Sequence, residues 1–206
     1  MFAVGHMALA YLLGKSSAKL LKVNLNIPLI FVLSLIPDAD LLLGISELHR
    51  GPTHSVIFAL IVFIPFFAIY RRKAVPYFLA LVSHSLIADF IVGGQIMLFW
   101  PITQQTFWLN VFGLSIDIWS PINIALEWTL FIIATIVMAK TGDLSTFIRS
   151  KKSNLLLALP IGTVLLPTFL SFPLTVPLLM IPPHLFYLVL FSISVLAVLA
   201  GALKKG

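Results

Sequence analysis

The sequence predicts an all-α, polytopic membrane protein with about six or seven apolar helices. Charged residues make up 10% of its 206 residues, against about 25% in ordinary soluble domains. Apolar residues make up 60% of the chain. Runs such as IPLIFVLSLIP and ALEWTLFIIATIVMA are too long and too uniform for the core of a small soluble domain, and they favour membrane helices.

Seven apolar segments are the candidate helices. The first has only about 13 apolar residues before Lys15, where a membrane-crossing helix needs about 20, so we expect it to pack against its neighbours. Pro37 interrupts the second and predicts an irregular backbone through PDAD. The N-terminal stretch has no basic leading region and no obvious small-residue cleavage site, so we expect the first segment to be retained. The segments are residues 2–21, 27–45, 54–70, 74–99, 119–139, 154–172 and 184–203.

The basic residues predict the orientation. Twelve of the thirteen Lys and Arg follow segments one, three, five and seven, and Arg50 is the exception. Basic residues in short loops stay cytoplasmic, so we expect a cell-membrane protein with its N-terminus outside and its C-terminus in the cytoplasm. The net charge of +6 then reflects topology, and no nucleic-acid partner is expected. The twelve are Lys15, Lys19, Lys22, Arg71, Arg72, Lys73, Lys140, Arg149, Lys151, Lys152, Lys204 and Lys205.

The distribution of acidic residues and histidines changes near residue 140. Residues 1–139 hold almost all of the acids and histidines, and they are predicted to form a helical membrane domain with a metal site. Residues 140–206 are predicted to form a cytoplasmic loop and two C-terminal membrane helices, in which His184 is interpreted as structural. The chain has no cysteine, which excludes disulfides and thiolate metal ligands.

Ionisable residues gather toward the predicted outer face. The carboxylates Asp38, Asp40 and Asp89 would together cost on the order of 8–10 kcal/mol at helix centres if unpaired. Arg50 alone cannot neutralise three carboxylates. A divalent cation bound by imidazole and carboxylate can do so. The gathered residues are His6, Asp38, Asp40, His49, Arg50, His54, His84, Asp89 and Glu127.

The stretch HRGPTHS, residues 49–55, holds two of the five histidines. Gly51 and Pro52 indicate a turn, and Thr53 is the expected N-cap of segment three. His54 would then project from the first helical turn. The planar guanidinium of Arg50 suits a phosphate or a carboxylate. The alternative is that His49 and Arg50 are ordinary loop residues, with Arg50 paired to Glu127.

The series GHMALA, LIPDAD, HRGPTHS, SHSLIAD and LFWP resembles the membrane-bound metal-dependent hydrolases, a group typified by a LexA-regulated bacterial inner-membrane protein. The start FAVGHMALAYL is also similar to that of the single-strand-specific zinc nucleases, which form a helical superfamily with the zinc-dependent phospholipases C. The resemblance covers residues 3–128. It implies metal ligands at His6, at Asp38 or Asp40, and at His54, His84 and Asp89, with His49 and Arg50 nearby.

The spacing of His84 and Asp89 departs from the H-x-x-x-D run of that family. On a regular α-helix, five steps leave two side chains about 140° apart, so both would not reach one metal ion. A π-bulge between them would restore the alignment, and such bulges are common at functional sites. Without one, Asp89 would lie outside the ligand set.

The expected function is metal-dependent hydrolysis of phosphoesters, of lipids or other amphiphiles, at the outer membrane face. The expected cofactor is zinc, as one or more ions, with manganese as another candidate. His49 would carry a proton and Arg50 would hold developing phosphate charge. An ion-coupled transporter using the same residues is the alternative, and a site where metal only braces the helices is a third. The preferred ligands are His6, Asp40, His54 and His84, followed by Asp38 and Asp89, with Glu127 as a further candidate.

Overall fold

The computed structural model describes residues 1–42, 49–110, 115–170 and 176–204. These residues form helices and loops, with no β-strand among them and two isolated bridges, Val92 to Ile116 and Ile96 to Phe107. The predicted all-α class is therefore confirmed for the part of the chain described.

Helix α1, Ala3–Leu21, lies in the middle of the fold and packs against two later helices, α5 (Val75–Ser83) and α6 (Pro121–Lys140). Its residues Val4, Met7 and Tyr11 are fully buried. The expectation that segment one packs against its neighbours is confirmed. The helix ends at Lys22, whose φ of 53° leaves helical geometry.

Segment two is broken at Pro37, as the sequence predicts. Helix α2 covers Ile27–Leu33 and is capped by the side chain of Asn26, which accepts a hydrogen bond from the Leu29 amide. A 3-10 turn over Ile36–Asp38 and the short helix α3, Ala39–Leu42, follow. The PDAD stretch therefore lies on a change of helix type. The end of the predicted segment, residues 43–45, is outside the described residues.

Segment three begins later than predicted. Pro52–His54 form a 3-10 turn, and α4 runs over Val56–Tyr70 with Ser55 as its N-cap. The Ser55 hydroxyl accepts from the Phe58 amide at 3.2 Å. The Thr53 hydroxyl instead donates to Asp40 at 2.9 Å. Thr53 was therefore the wrong N-cap, and His54 precedes the α-helix.

Segment four was predicted to reach residue 99, and this boundary was wrong. Helix α5, Val75–Ser83, continues into a π-helix over His84–Asp89, here called the first π-helix. The helical backbone ends by Ile91. Gly93 and Gly94 then take φ values of 96° and 102°, which other residues rarely adopt. The apolar run past them is a loop, because its glycines reverse the chain.

The last three predicted segments correspond to three helices long and apolar enough to cross a membrane: Pro121–Lys140, Lys152–Phe169 and Leu178–Leu203. No other helix in the described ranges meets both criteria, so a total of six or seven stays a prediction. Their elements are α6 (Pro121–Lys140), α7 (Leu144–Ile148), a 3-10 turn (Lys152–Leu157), α8 (Ala158–Pro160), a second π-helix (Ile161–Leu165), α9 (Leu166–Phe169), a 3-10 turn (Leu178–Met180) and α10 (Ile181–Leu203).

The aromatic core joins the two ranges predicted as separate domains. The ring of Phe31 in α2 lies 6.0 Å from Phe147, 5.7 Å from Tyr187 and 5.1 Å from Phe191. All four side chains are fully buried. Residues on both sides of position 140 therefore share one hydrophobic core, which seats α7 and α10 against the N-terminal helices.

Most of the described lysines and arginines lie at the end of the packed helices opposite the buried cluster of histidines and aspartates. Lys15, in the second half of α1, bonds to Asp143 just beyond the end of α6, with Nζ 2.5 Å from Oδ2. The middle of α1 lies beside the start of α5, since a Cβ on Gly14 would be 3.6 Å from the Pro76 carbonyl oxygen. One end of the bundle therefore holds Lys15 and the basic turn Arg71–Lys73 before α5. The other end holds the starts of α1 and α6 and the end of the first π-helix, with Arg50 beside it.

Candidate metal centre

Four side chains from three separate segments converge at the end of the first π-helix. Asp38 comes from the 3-10 turn after α2, His54 from the turn before α4, and His84 and Asp89 from the first π-helix. Each offers one nitrogen or oxygen, and the four atoms lie within 4.8 Å of one another. We call these residues the His–Asp set.

The two imidazoles of the His–Asp set each face both carboxylates. His54 Nε2 is 3.4 Å from Asp38 Oδ1 and 3.4 Å from Asp89 Oδ2. His84 Nε2 is 3.3 Å and 3.5 Å from the same two oxygens. Both histidines are buried, and both Nε2 atoms lack a hydrogen-bond partner. Buried polar atoms left in this state are rare in native structures and call for an explanation.

Hydrogen bonds on the far side of each ring indicate where the protons are. His84 Nδ1 donates to the Ser34 carbonyl oxygen at 2.7 Å. The Thr53 hydroxyl donates to Asp40, so its oxygen accepts from His54 Nδ1 at 3.1 Å. A neutral imidazole with its proton on Nδ1 has its lone pair on Nε2. Two lone pairs and two carboxylates then face one point, an arrangement that a cation satisfies.

The first π-helix is what brings His84 and Asp89 together. Its i→i+5 repeat places residues five apart on one face, whereas an α-helix would turn them about 140° apart. The spacing of the two residues predicts that Asp89 reaches the site only if a π-bulge lies between them, and the structure has a π-helix there.

Asp40 and His49 form a second group with His54, and its ligand atoms also lie within 4.8 Å of one another. His49 Nδ1 is 3.2 Å from Asp40 Oδ1, and His54 Nδ1 is 3.7 Å from Asp40 Oδ2. His54 thus meets the two groups through opposite nitrogens. A neutral imidazole has only one lone-pair nitrogen, so it serves one group as a ligand and the other as a donor.

His6 lies beside the His–Asp set. Its ring stacks on His84, with centroids 3.7 Å apart, and its Nε2 is 3.4 Å from Asp89 Oδ1. The amino group of Met1 is 3.2 Å from the same oxygen, and the buried Nδ1 of His6 has no hydrogen-bond partner. Asp89 therefore directs Oδ2 to the His–Asp set and Oδ1 to the start of α1.

Arg50 is held over the site by the backbone. Its own φ is +65°, which is uncommon for a residue other than glycine. Its guanidinium donates to the Gly93 carbonyl, and its Nε is 3.9 Å from Asp89 Oδ2. A Cβ on Gly93 would collide with this guanidinium. The close approach requires glycine at that position.

Glu127 lies outside both groups of candidate metal ligands. Its carboxylate accepts hydrogen bonds from the Phe2 and Gly5 amides and from Asn123 Nδ2, and it is fully buried. In the described parts of the chain it forms no ion pair with Arg50. Glu127 holds the first turn of α1, which carries His6, against α6.

A small pocket of about 60 Å³ adjoins the His–Asp set. At roughly 30 Å³ per water molecule, it has room for a small polar group. Its lining includes Asp38, Asp89, His49 and Arg50, together with His184 of α10. His184 Nδ1 donates to the Met180 carbonyl at 2.7 Å. Sequence reasoning missed His184 as a pocket residue, and its only signal was a histidine in a segment with few other ionisable groups.

Fold and site together define a helical membrane protein with buried histidines and aspartates that could hold a metal ion. The model of the YdjM inner membrane protein family matches residues 1–165, and the chain belongs to this family. The match includes the whole His–Asp set and stops before His184. No curated protein and no solved structure matches the chain.

Proposed function

We propose that this protein is an integral-membrane, metal-dependent hydrolase of phosphoesters, acting on lipids or other amphiphiles at the extracytoplasmic face. The observation that carries the proposal is the His–Asp set, in which two unpartnered imidazole nitrogens face two carboxylate oxygens. Imidazole with carboxylate is a ligand combination that zinc and related metals take in hydrolases.

The histidine–aspartate distances within the His–Asp set match those of a tetrahedral zinc site. Ligand atoms about 2.0–2.1 Å from a tetrahedral zinc ion lie about 3.3–3.4 Å from one another. The four histidine–aspartate pairs are separated by 3.3–3.5 Å. His6, whose Nε2 lies 3.4 Å from Asp89 Oδ1, is the candidate ligand of a second ion in the proposal. Manganese remains the other candidate.

A bound zinc ion would supply Lewis-acid polarisation of the phosphoester and would acidify a water molecule. The side chain of Asp38 is 19% exposed, the most open of the set, so the pocket beside it is where substrate would approach. The small pocket accepts the phosphoryl group and leaves the apolar part of an amphiphile outside.

The pocket residues give the remaining roles. The guanidinium of Arg50 lies beside Asp89 and supplies planar donors for developing phosphate charge. His49 hydrogen-bonds to Asp40 and has a partly exposed side chain, so it would exchange protons between the pocket and solvent. Asp40 would orient His54 through Thr53 and would hold His49.

The orientation belongs to the same proposal. Lys15 pairs with Asp143 just beyond the end of α6, at the end of the bundle away from the His–Asp set. Arg71–Lys73 lie at the same end, before α5, and Arg50 is the basic residue beside the set. We infer a multi-pass chain whose basic end is cytoplasmic and whose metal centre faces the other side.

Turnover by purified protein tests the proposal. Detergent-solubilised chain, stripped of metal and reloaded with zinc or manganese, is assayed for hydrolysis of phospholipids and of a chromogenic phosphodiester. We expect turnover that Asp38→Asn abolishes and that Asp117→Asn, at an exposed carboxylate, leaves unchanged. Loaded wild-type protein that hydrolyses no phosphoester would reject the function. Metal or proton flux in proteoliposomes, lost on His84→Ala, would favour the transporter.

A further inference from the structure

A second and larger cavity lies between α2, α4 and α5. Its volume is about 530 Å³, within the roughly 300–1,000 Å³ of small-molecule sites. Its walls are apolar and include Leu33, Val62, Phe63, Phe66 and Leu81. We call it the α2–α4–α5 groove. Its long apolar walls suit a hydrocarbon chain.

One end of the groove is polar, and it presents hydrogen-bond donors. The Tyr77 hydroxyl oxygen accepts from the Asn26 amide at 2.8 Å, which leaves the hydroxyl proton free to donate. The Asn26 Oδ1 accepts from Leu29, which leaves its Nδ2 as a donor. Lys73 also lines this end, and it has no ion-pair partner in the ranges the structure describes.

The charged residues around the polar end of the groove are all basic. Arg71 and Arg72 lie beside Lys73 in an adjoining depression of the surface. All three basic side chains are exposed, and neither cavity is lined by an aspartate or glutamate among the described residues. Clustered Lys and Arg at a membrane surface attract anionic lipids, at about 1 kcal/mol for each residue.

We propose that the α2–α4–α5 groove binds one anionic phospholipid, with its phosphate at Lys73, Asn26 and Tyr77 and an acyl chain along the apolar walls. A free anion would leave the walls empty, and an uncharged lipid would leave the donors unused. This proposal is independent of metal binding and of hydrolysis.

The lipid at this site is not the substrate of the metal centre. Lys73 precedes α5 and His84 follows it, eleven residues later in the chain, or roughly 16 Å at 1.5 Å per residue. The inner end of the groove reaches Ile36 and Leu81, which precede Asp38 and His84 by two and three residues. A bound acyl chain therefore packs against the two segments that carry Asp38, His84 and Asp89 of the His–Asp set.

Native mass spectrometry of the full chain in neutral detergent tests the site. The probes are phosphatidylglycerol and phosphatidylcholine of equal chain length, added as a mixture. We expect one phosphatidylglycerol retained for each chain in preference to phosphatidylcholine. The Lys73→Ala, Tyr77→Phe double variant should lower that affinity about tenfold or more. Lys151→Ala, which removes an exposed basic residue outside the groove, should not.

A groove-filling variant keeps the test valid if the double variant folds poorly. Val62 lines the groove and is 43% exposed, so Val62→Trp should block the acyl chain without overpacking the core. Ile61→Trp, at a neighbouring position that is 52% exposed and outside the groove, is its control. Equal retention of both lipids, no retained lipid, or phosphatidylglycerol binding unchanged in both groove variants would overturn the proposal.

Discussion

His84 and Asp89 are five residues apart in the chain, yet His84 Nε2 lies 3.5 Å from Asp89 Oδ2, because the backbone between them is a π-helix. On an α-helix the two side chains would diverge by about 140°. A single additional residue in this turn is therefore accommodated by a change of helix type. The π-helix keeps both side chains directed at Asp38 and His54.

Deleting Leu86 should preserve metal binding. Leu86 lies within the first π-helix and is 41% exposed, so little packing is lost. The deletion restores a four-residue spacing, which a regular α-helix places on one face. We expect metal content equal to that of the wild-type protein after purification without chelator.

Inserting an alanine after Leu86 is the matched opposite change. Six-residue spacing exceeds the i→i+5 repeat of the π-helix, so metal should be lost. If both variants bind metal equally, the spacing of His84 and Asp89 does not control the site.

Asp38 and Asp40 should differ in their effect on metal affinity. Asp38 faces both imidazoles of the His–Asp set, whereas Asp40 contacts His49 and Thr53. Asp38→Asn should abolish stoichiometric binding. Asp40→Asn should weaken it by about 10–100-fold, as outer hydrogen-bond partners of metal ligands do. Competition with a chelating dye measures both, and a larger loss from Asp40→Asn would reverse their roles.

The different roles of Asp38 and Asp40 could not be predicted from the sequence. Among the metal ligands expected from the sequence, Asp40 ranked above Asp38. The sequence alone could not decide between them, because the side-chain directions of a D-x-D run depend on the backbone that carries it. The 3-10 turn at Ile36–Asp38 followed by α3 sends the two carboxylates to different groups. Pro37 predicts an irregular backbone but does not determine those directions.

Gly93→Ala should impair turnover without removing metal. A Cβ at Gly93 would collide with the Arg50 guanidinium, and the φ of +96° disfavours alanine. Arg50 would be displaced, while the His–Asp set keeps all four side chains. We expect a large fall in kcat with metal content unchanged. Gly142→Ala is the control, because Gly142 also has a positive φ but no atom lies within 4 Å of its added Cβ. Equal effects of the two variants would mean that backbone strain is responsible.

Glu127→Gln should lower stability and leave the metal centre intact. The carboxylate accepts from the Phe2 and Gly5 amides through separate oxygens, and glutamine offers only one carbonyl oxygen. Loss of one buried charged hydrogen bond costs about 1.5–3 kcal/mol. Thermal unfolding in detergent should shift to lower temperature, with metal content unchanged. Loss of metal at full stability would instead make Glu127 a ligand.

The parts of the fold that depend on composition could be predicted from the sequence. The parts that depend on local backbone geometry were harder to predict. Long apolar runs identify the three helices long enough to cross a membrane. The early end of segment four depends on Gly93 and Gly94, two small residues inside a run that is otherwise apolar. The contribution of His184 to the pocket depends on how α10 packs against the first helices through Phe31, Tyr187 and Phe191, and no local pattern encodes that contact.

Elemental analysis decides whether the His–Asp set holds a metal ion. Protein purified in detergent without chelator is measured as wild type, as the His54→Ala, His84→Ala double variant and as the Asp117→Asn control. We predict stoichiometric zinc or manganese in the wild type and the control, and none in the double variant. Absence of metal from folded wild-type protein, even after zinc or manganese is added back, would show that the His–Asp set is not a metal site.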